Sequence, residues 1–343
     1  MSLETAWYKS SAWLVLLRPL ERLFCFLARR RRQQYQHGTK SVWTAPVPVI
    51  IVGNISVGGT GKSPLVIWLI DWLRQQGYKP GVVSRGYRAQ PPCKPFFVTA
   101  GSSVAEAGDE PLMIVRRTGV PLVIDADRVA ATKLLLQQTD CDLVISDDGL
   151  QHYALGRTIE IAVVDAKRGF GNARCLPEGP LREPVSRLDD VDLVVFNGEP
   201  ERSLVQPDIE TKCSVMQIRV AGLQAVGSDS AKHAEGERFV GMDQWQGERK
   251  VHAVAGIGNP QRFYNSLANV GFTLQQHSFP DHHQFRIDEL QFDDGLPLIM
   301  TEKDAVKCDH MQLRNAWYLQ VGAQLEQGFE LQLREKLTRS SSK

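Results

Sequence analysis

The chain has few cysteines and none at the spacing of a metal site. Its six cysteines are scattered over 343 residues without a C-x-x-C pair. Neither a zinc ribbon nor a disulfide framework is therefore indicated, and a reducing cytoplasm fits best. An internal repeat of about 20–50 residues is also missing, which excludes a solenoid or a propeller.

Long apolar runs are missing as well. No stretch of about 18 apolar residues occurs, because Arg18, Glu21 and Arg22 interrupt the N-terminal apolar stretch. The Arg29–Arg32 cluster follows that stretch, whereas a secretory signal carries its charges first. A composition of 43% hydrophobic and 23% charged residues is instead typical of a soluble globular protein, here long enough for two domains.

Positive charge is concentrated in the first 40 residues. Eight Lys and Arg against two Glu give this segment a net charge of +6, which leaves about −5 for the rest of the chain. Spacings of three and four place five apolar side chains on one helical face, with a bend expected at Pro19. We predict that residues 1–40 form a basic amphipathic helix on an anionic membrane surface; packing on the protein's own core and nucleic-acid binding are the alternatives. The five side chains are Trp13, Leu17, Leu20, Phe24 and Leu27.

A buried-strand run, a glycine loop and a helix start follow one another from Pro48 onward. The glycines allow a tight turn whose N–H groups point inward, and the helix N-terminus adds its positive end. This pattern predicts a phosphate cradle in which Lys62 contacts the terminal phosphates and Ser63 holds Mg²⁺. Ser56 replaces the first glycine of the usual pattern, so the strand and helix context support the prediction. The cradle residues are Val57, Gly58, Gly59, Thr60, Gly61, Lys62, Ser63 and Pro64.

Apolar runs alternate with amphipathic stretches beyond Pro48. Strands are predicted over 49–52, 80–84, 122–124, 143–146, 159–164 and 192–197, and helices over 63–76 and 127–138. This alternation of strands and helices predicts an α/β fold with a parallel sheet of the P-loop NTPase type. The second half shows the same alternation, with a helix over 260–269, which predicts a smaller α/β domain. The weakly patterned stretch 221–237 is interpreted as a hairpin or a mobile surface region.

These patterns divide the chain into four parts. Residues 41–167 are predicted to form the P-loop nucleotide-binding domain, and residues 168–330 a second domain that closes the cleft. Residues 1–40 precede them as the basic segment, and residues 331–343 follow as a polar tail. The Gly/Pro/Arg-rich stretch 168–184 is predicted to be a long ordered loop with a functional role.

Two carboxylates end the strand that begins near Cys141. Asp147 and Asp148 follow an apolar run, as in a Walker B strand, and the C-terminal edge of a parallel strand lies beside the phosphate loop. We predict that both serve the metal ion. Gln151 and His152 follow them and are interpreted as possible caps of the next segment.

Three further clusters contain candidate catalytic or binding residues. Asp109 and Glu110 open a helical pattern, so they are either first-turn charges or a base that orients an attacking hydroxyl. Arg85 follows the strand after the phosphate loop and is predicted to reach phosphate or substrate. His282 and His283 lack further ligands at zinc spacing, so proton transfer is the better hypothesis for them.

Several blocks, taken in order, resemble the tetraacyldisaccharide 4'-kinase family of lipid A biosynthesis. The resemblance extends from the N-terminal segment to about residue 320, and that family's phosphate loop also lacks the first glycine. The blocks are Gly53-Asn54 ahead of 57–64, then 84–87, 108–111, 147–152, 179–184, 279–282 and 301–307.

The resemblance implies transfer of a phosphoryl group from ATP, with Mg²⁺, to the 4'-hydroxyl of an acylated glucosamine disaccharide 1-phosphate. It implies two α/β/α domains joined by a two-stranded linker, with the active site in the cleft. It also implies a peripheral location at the cytoplasmic face of the bacterial inner membrane, with the basic segment as anchor. By position it assigns Asp109 and His282 to the base, Asp147 and Asp148 to magnesium, and Arg182 and Glu183 to the substrate.

Two other classes of function remain as alternatives. A P-loop GTPase or metallochaperone would need a guanine-recognition motif, in which one residue separates the Lys from the Asp. In this chain Lys303 and Asp304 are adjacent, so the motif is not matched. A nucleotide-gated nucleic-acid binder would use Arg29–Arg32. We expect neither a nucleic acid nor an obligate protein partner.

Overall fold

One path of hydrogen-bonded strands runs through both halves of the chain. The structure is a computed structural model that describes residues 3–9, 11–205, 207–227 and 239–341. Across the sheet the strand order is β11-β10-β12-β13-β8-β7-β6-β1-β5-β2-β4-β3, and β9 pairs with β8 outside this path. The strands are β1 Val49–Gly53, β2 Pro80–Ser84, β3 Phe96–Val98, β4 Leu122–Ile124, β5 Leu143–Asp147, β6 Ile159–Asp165, β7 Leu193–Asn197, β8 Cys213–Ala225, β9 Phe239–Gly241, β10 Lys250–Ala255, β11 Thr273–Ser278, β12 Leu298–Thr301 and β13 Ala316–Leu325.

Helices flank this sheet on both faces. In the described residues they are α1 Leu3–Tyr8, α2 Arg18–Gln36, α3 Lys62–Gln75, α4 Val104–Ala107, α5 Asp109–Thr118, α6 Arg128–Gln138, α7 Pro260–Asn269, α8 Glu302–Cys308 and α9 Gln327–Ser341. Shorter 3-10 helices cover Ala12–Leu17, Val185–Asp190, Arg202–Leu204, Pro207–Lys212 and Ile287–Glu289. The helices predicted over 63–76, 127–138 and 260–269 are confirmed within one residue at each end.

Parallel pairing explains the apolar runs around the phosphate loop. β1 pairs in parallel with β5 and β6, and every residue of β1 is buried. Ile50 and Val52 pack with α3 on one face, while Val49 and Ile51 pack on the other. Since both faces of such a sheet are covered, its strands lack polar alternation. The predicted α/β fold with a parallel sheet is confirmed.

A long antiparallel ribbon connects the two halves. β8 first pairs in parallel with β7 and then antiparallel with β13, from Met216 opposite Leu325 to Ala225 opposite Trp317. The second half, built from β10, β11 and β12 with α7 and α8, continues from the far side of β13. This ribbon corresponds to the two-stranded linker that the family resemblance implies. The stretch predicted as a hairpin or mobile region lies partly in β8, and its residues 228–238 lie outside the described residues.

The structure moves the predicted boundary between the halves. Strand β7, placed by the sequence in a second domain over 168–330, pairs in parallel with β6 from Ile161 opposite Leu193 to Asp165 opposite Asn197. Both faces of β7 are buried in the cores of the first half. Residues 168–197 therefore belong to the first half, because a central strand cannot be separated from its neighbours.

The predicted polar tail is also corrected. Residues 331–341 form most of helix α9. Phe329, Leu333 and Leu337 are at most 2% exposed and pack with the residues around α3, where Trp68 lies 5.6 Å from Phe329 between ring centroids. Apolar residues at spacings of four pack this helix onto the first half, a periodicity that the polar composition of 331–343 obscured.

The N-terminal segment differs in detail from the predicted bent helix. Residues Ala12–Leu17 form a 3-10 helix, and Pro19 lies in the first turn of α2, where a proline fits without bending the helix. Leu17 and Phe24 pack partly against the protein, whereas seven other large apolar side chains of this 3-10 helix and α2 are exposed. No helix among the described residues is long and apolar enough to cross a membrane. The exposed side chains are Trp13, Val15, Leu16, Leu20, Leu23, Phe26 and Leu27.

Polar contacts attach α2 to the body. Arg18 forms an ion pair of 2.9 Å with Glu178, and Arg32 forms one of 2.8 Å with Asp190. The buried Glu21 carboxylate accepts hydrogen bonds from the Cys25 thiol and from the Cys175 backbone N–H. These contacts fix which face of α2 points away from the protein.

Candidate active site

The phosphate loop lies between β1 and α3, as predicted. Gly61 precedes α3 with a φ of +96°, in the left-handed region that favours glycine. A Cβ on Gly61 would lie 2.1 Å from Asn197 Nδ2, so a side chain there is also excluded by space. Asn197 Nδ2 donates to the Thr60 carbonyl at 3.0 Å. The end of β7 thus supports the loop, a contact that the sequence analysis missed.

Lys62 and Arg182 both contact one carboxylate beside the loop. Lys62 Nζ lies 3.4 Å from Asp148 Oδ1, and Arg182 Nη1 lies 3.0 Å from Asp148 Oδ2. Burial would raise the pKa of Asp148, but the two cations outweigh burial and hold that pKa well below its usual value. Asp148 therefore stays ionised and positions both cations at the loop.

Asp147 has a different environment from its neighbour. It is 2% exposed and accepts a hydrogen bond from Ser84 Oγ at 3.1 Å. Burial, with the nearby charges of Glu110 and Asp148, raises its pKa to about 6. No Lys or Arg of the described chain lies within ion-pair distance of it. A buried carboxylate that lacks a cationic partner is suited to bind a hard divalent cation. Ser63, half-buried in the first turn of α3, offers a hydroxyl as a second ligand for such a cation.

Asp109 and His282 meet across the cleft. Asp109 begins α5 in the first half, and His282 Nδ1 lies 2.8 Å from its Oδ2, 173 residues away in the chain. Asp109 is 6% exposed, yet the charges of Lys303 and His282 outweigh burial and lower its pKa. His282 has a φ of +63°, so the backbone turns sharply to present this ring. The structure brings together the two residues that were predicted to act as a base.

Lys303 joins this pair and was not predicted. Its Nζ lies 3.7 Å from Asp109, 3.2 Å from Glu110 and 3.7 Å from Asp281. Burial alone would lower the pKa of Lys303, but the three carboxylates raise it, so the amine stays charged. The sequence block 301–307 was the only feature of the sequence that pointed to Lys303. The role of Lys303 depends on contacts between the halves, which that block does not specify.

Glu183 lies inside the protein and does not face the cleft directly. It is 6% exposed, and its carboxylate accepts from Gln151 Nε2 at 2.7 Å and from the Tyr153 hydroxyl. Gln151 also donates to the Asn54 carbonyl at 3.1 Å, at the start of the phosphate loop. This corrects the prediction that Glu183 faces the substrate: its contacts support the loop that presents Arg182.

Arg85 and Tyr87 lie on the rim of the cleft. Arg85 is exposed after β2, and it forms no side-chain hydrogen bond or ion pair within the described part of the chain. The Tyr87 ring lies 5.4 Å from the His282 ring between centroids and is 57% exposed. Both side chains are therefore free to contact a ligand at the rim.

The remaining histidines have local structural contacts. His152 Nε2 accepts from the Arg128 backbone N–H at 3.0 Å and so caps the preceding helix α6, not the segment that follows it. His283 Nε2 lies 3.0 Å from Glu289 and is not part of the pair formed by Asp109 and His282. The proton-transfer hypothesis is thus limited to His282.

Arg168 connects three parts of the site and was also missed. Its Nη1 lies 3.4 Å from Glu4 and would lie 3.2 Å from a Cβ on Gly58 of the phosphate loop. Its Nη2 donates to the Gly258 carbonyl in the second half at 3.2 Å. In the sequence, only the Gly/Pro/Arg-rich composition of residues 168–184 indicated that the loop containing Arg168 has a functional role.

Comparisons with known proteins show which family the chain belongs to. The family profile described as tetraacyldisaccharide-1-P 4'-kinase matches residues 13–338. The chain belongs to this 4'-kinase family. It is 48% identical over 337 residues to a tetraacyldisaccharide 4'-kinase of Pseudomonas putida, covering 98% of this chain and 97% of that one. It is also 48% identical over 321 residues to the Pseudomonas aeruginosa enzyme of the same name, covering 94% and 92%.

A solved structure of the 4'-kinase family has the same fold. LpxK from Aquifex aeolicus, crystallised in complex with ATP, superposes with a TM-score of 0.79 at 28% identity. The match covers 95% of this chain and 99% of that one. The family resemblance inferred from the sequence blocks is confirmed.

Proposed function

We propose that this chain transfers the γ-phosphate of ATP to the 4'-hydroxyl of a tetraacylated glucosamine disaccharide 1-phosphate, forming lipid IVA in lipid A biosynthesis. Membership of the 4'-kinase family supports this activity and its use of ATP with Mg²⁺. In the structure, the observation that supports it best is the pair of Asp109 and His282, which joins the half that carries the phosphate loop to the other half. Glu110, next to Asp109, is near enough to Asp147 for its charge to raise the pKa of Asp147. The GTPase or metallochaperone alternative is not favoured, since neither the sequence blocks nor the relatives point to it.

The proposed reaction needs one base and one cationic cradle. Ionised Asp109 accepts a hydrogen bond from the Nδ1–H of His282, which leaves Nε2 to accept the proton of the 4'-hydroxyl. The hydroxyl oxygen bonds to the γ-phosphorus as the bond to the ADP oxygen breaks. Lys62 stabilises the charge on the transferring group, and Arg182 lies beside it.

The residues that would hold the metal ion are Ser63, Asp147 and Asp148. When bound, magnesium neutralises phosphate charge and aligns the terminal phosphates. The remaining cradle contacts come from backbone N–H groups of residues 58–61, as the positive φ angles of Gly58 and Gly61 favour. The Val57 N–H instead donates to the Pro180 carbonyl at 2.8 Å.

One assay tests this function. The purified protein is incubated with ATP, Mg²⁺ and the tetraacylated disaccharide 1-phosphate in mixed micelles, and the lipid is analysed by mass spectrometry. We expect a lipid that carries one added phosphate at the 4' position. ATP hydrolysis without lipid phosphorylation would instead support the NTPase alternative.

We further propose that the exposed apolar face of α2 and the preceding 3-10 helix binds the cytoplasmic face of the bacterial inner membrane. Leu16 is 80% exposed and Phe26 is 58% exposed, which is unusual for side chains of this type. The Arg29–Arg32 cluster follows them, and each arginine near an anionic surface adds about 1 kcal/mol of attraction. The arrangement favours a peripheral protein that lies on the lipid surface.

Deleting residues 1–32 would not test this cleanly, because Trp7, Leu14 and Glu21 are buried against the body. The triple variant Leu16→Ser, Leu23→Ser, Phe26→Ser changes exposed side chains only. We expect it to lose sedimentation with anionic vesicles while it keeps its melting temperature and activity on micellar substrate. Leu331→Ser, at an exposed leucine of α9, is the control. Unchanged vesicle binding of the triple variant would refute the membrane assignment.

A further inference from the structure

Two cysteines and a glutamate meet where α2 contacts the body of the protein. Glu21 and Cys25 lie four residues apart on α2, so both point to the same side of the helix. Cys175 belongs to the loop 168–184 and lies 154 residues after Glu21. One carboxylate oxygen of Glu21 and the Sγ atoms of both cysteines all lie within 4.8 Å of one another. The mechanism described above does not use this cluster.

The distances in the cluster fit a thiophilic cation such as Zn²⁺. Cys25 Sγ lies 3.4 Å from Glu21 Oε1. Zinc binds thiolate sulfur at about 2.3 Å and carboxylate oxygen at about 2.0–2.2 Å, so ligand atoms around a tetrahedral ion lie roughly 3.5–3.8 Å apart. The Cys175 backbone N–H donates to Glu21 Oε1 at 3.3 Å and orients the carboxylate. The three side chains therefore need to move little to hold an ion.

The charges in the cluster also favour a cation. Glu21 is 8% exposed, and it forms no ion pair with any residue that the structure describes. Burial raises the pKa of both thiols, so both are protonated at neutral pH when no cation is bound. A divalent cation displaces the two thiol protons, and Arg29 is near enough for its charge to act on both cysteines. Sulfur ligands favour zinc over magnesium, which prefers oxygen ligands.

The position of the cluster links α2 to the phosphate loop. Cys175 lies opposite Leu181 in an isolated β-bridge, and Leu181 lies opposite Ser56 in another. Ser56 directly precedes the cradle residues 57–64. On the other side, α2 carries part of the exposed apolar face described above. An ion in the cluster would therefore join α2 to the segment that packs beside the phosphate loop.

We propose that Glu21, Cys25 and Cys175 form a zinc site that attaches α2 to the loop 168–184. The three side chains supply the ligands, and water completes the coordination, because Cys25 is only half-buried. Sequence spacing does not reveal the site, since its ligands come from two distant segments. The site is separate from the proposed magnesium ligands and does not depend on the proposed function.

The test measures the binding of Co²⁺ and Zn²⁺ to the full-length protein, without a histidine tag, in excess Mg²⁺ and a phosphine reductant. Co²⁺ bound to thiolate gives a sulfur-to-metal charge-transfer absorption, which a site made only of oxygen ligands does not give. The variants are Cys25→Ser and Glu21→Gln. Cys213→Ser is the matched control, because it removes another half-buried thiol that lies outside the cluster.

We expect the wild type to bind one Co²⁺ with thiolate absorption, and Zn²⁺ to displace this ion. Cys25→Ser should lose about half of the absorption and bind about tenfold or more weakly, whereas Glu21→Gln should keep the absorption but bind more weakly. Binding should tighten as the pH rises, because the ion displaces thiol protons. Zn²⁺ should raise the melting temperature of the wild type and of Cys213→Ser more than that of Cys25→Ser.

Alkylation of the wild type followed by mass spectrometry gives a second measurement that needs no variant. Zn²⁺ should slow the alkylation of Cys25 about tenfold or more and leave that of the exposed Cys93 unchanged. Undiminished absorption in Cys25→Ser, or its loss in Cys213→Ser, would place the ion elsewhere and overturn the proposal. A wild type without thiolate absorption, or without protection of Cys25 by Zn²⁺, would overturn it as well.

Discussion

The two sides of the cleft are built in different ways. The nucleotide side is assembled within the first half, where Lys62, Asp148 and Arg182 lie at the ends of neighbouring strands or in loops packed on them. The base side combines Asp109 of the first half with His282 and Lys303 of the second, 173 residues or more away in the chain. In the proposed mechanism, nucleotide binding therefore depends on one half, and catalysis depends on how the two halves are held together.

The largest expected effect comes from the nucleotide side. Lys62→Ala removes the charge that stabilises the transferring phosphoryl group, so we expect kcat to fall roughly 10³- to 10⁵-fold with the fold intact. Steady-state kinetics with micellar lipid and a melting curve measure the two properties. Lys79→Ala, which breaks an exposed ion pair with Asp140, serves as the control. If Lys62→Ala kept more than about a tenth of the wild-type rate, the assignment of the phosphate loop would be wrong.

The base side should respond differently. Asp109→Ala and His282→Ala are each expected to lower kcat roughly 10²- to 10⁴-fold, while ATP affinity, measured with a fluorescent analogue, stays nearly constant. Because the two residues act as one unit, the double variant should lose little more than the worse single variant.

His283→Ala is the matched control for the base side, since His283 contacts Glu289 and not Asp109. Its kcat should stay within a few-fold of wild type. If the kcat of the double variant of Asp109 and His282 fell by the product of the two single fold-losses, the two residues would act independently. The proposed contrast, in which the base side acts as one unit built from both halves, would then be wrong.

A third variant targets the contact between the halves. Arg117 of α5 and Glu302 of α8 form an ion pair of 2.6 Å with both side chains mostly buried. Glu302→Gln should destabilise the protein by roughly 1–3 kcal/mol and reduce kcat more than ATP affinity. Chemical denaturation and the exchanged double variant, Arg117→Glu with Glu302→Arg, check this. Arg339→Ala at an exposed ion pair should change stability hardly at all. A Glu302→Gln variant that lost ATP affinity and kcat equally would remove the distinction between the two sides.

The smallest expected effect is a pH dependence within the first half. Burial and the Arg128 charge lower the pKa of His152 to about 4, against an ordinary value of 6.5. Between these values the unfolded chain binds more protons than the folded one, so stability falls as the pH drops from about 6.5 to 4. His152→Gln keeps an acceptor for the Arg128 N–H but does not titrate, so its melting temperature should fall less over this range. The exposed His310→Gln is the control, and identical profiles for His152→Gln and wild type would contradict the account.

The sequence determined the phosphate loop and the strands around it. The glycine loop, Lys62 and Ser63 are contiguous, so their geometry follows from local backbone conformation, and Asp147 and Asp148 end a strand whose apolar run is readable by itself. The sequence blocks also identified the family, because their order and residue types were specific. Even Asp109 with His282 was predicted, though only through that resemblance.

The tertiary structure alone decided which distant groups meet. Pairing of β7 with β6 moved the domain boundary, and packing of α9 on α3 turned a predicted tail into part of the core. Lys303 reaches Asp109 only because the ribbon of β8 and β13 joins the halves. The family resemblance assigned Glu183 to the substrate by position, and its burial by Gln151 and Tyr153 cannot be read from its neighbours in the chain. Local patterns specify backbone conformation and the types of side chain, but contacts over long separations depend on the register and packing of the whole sheet.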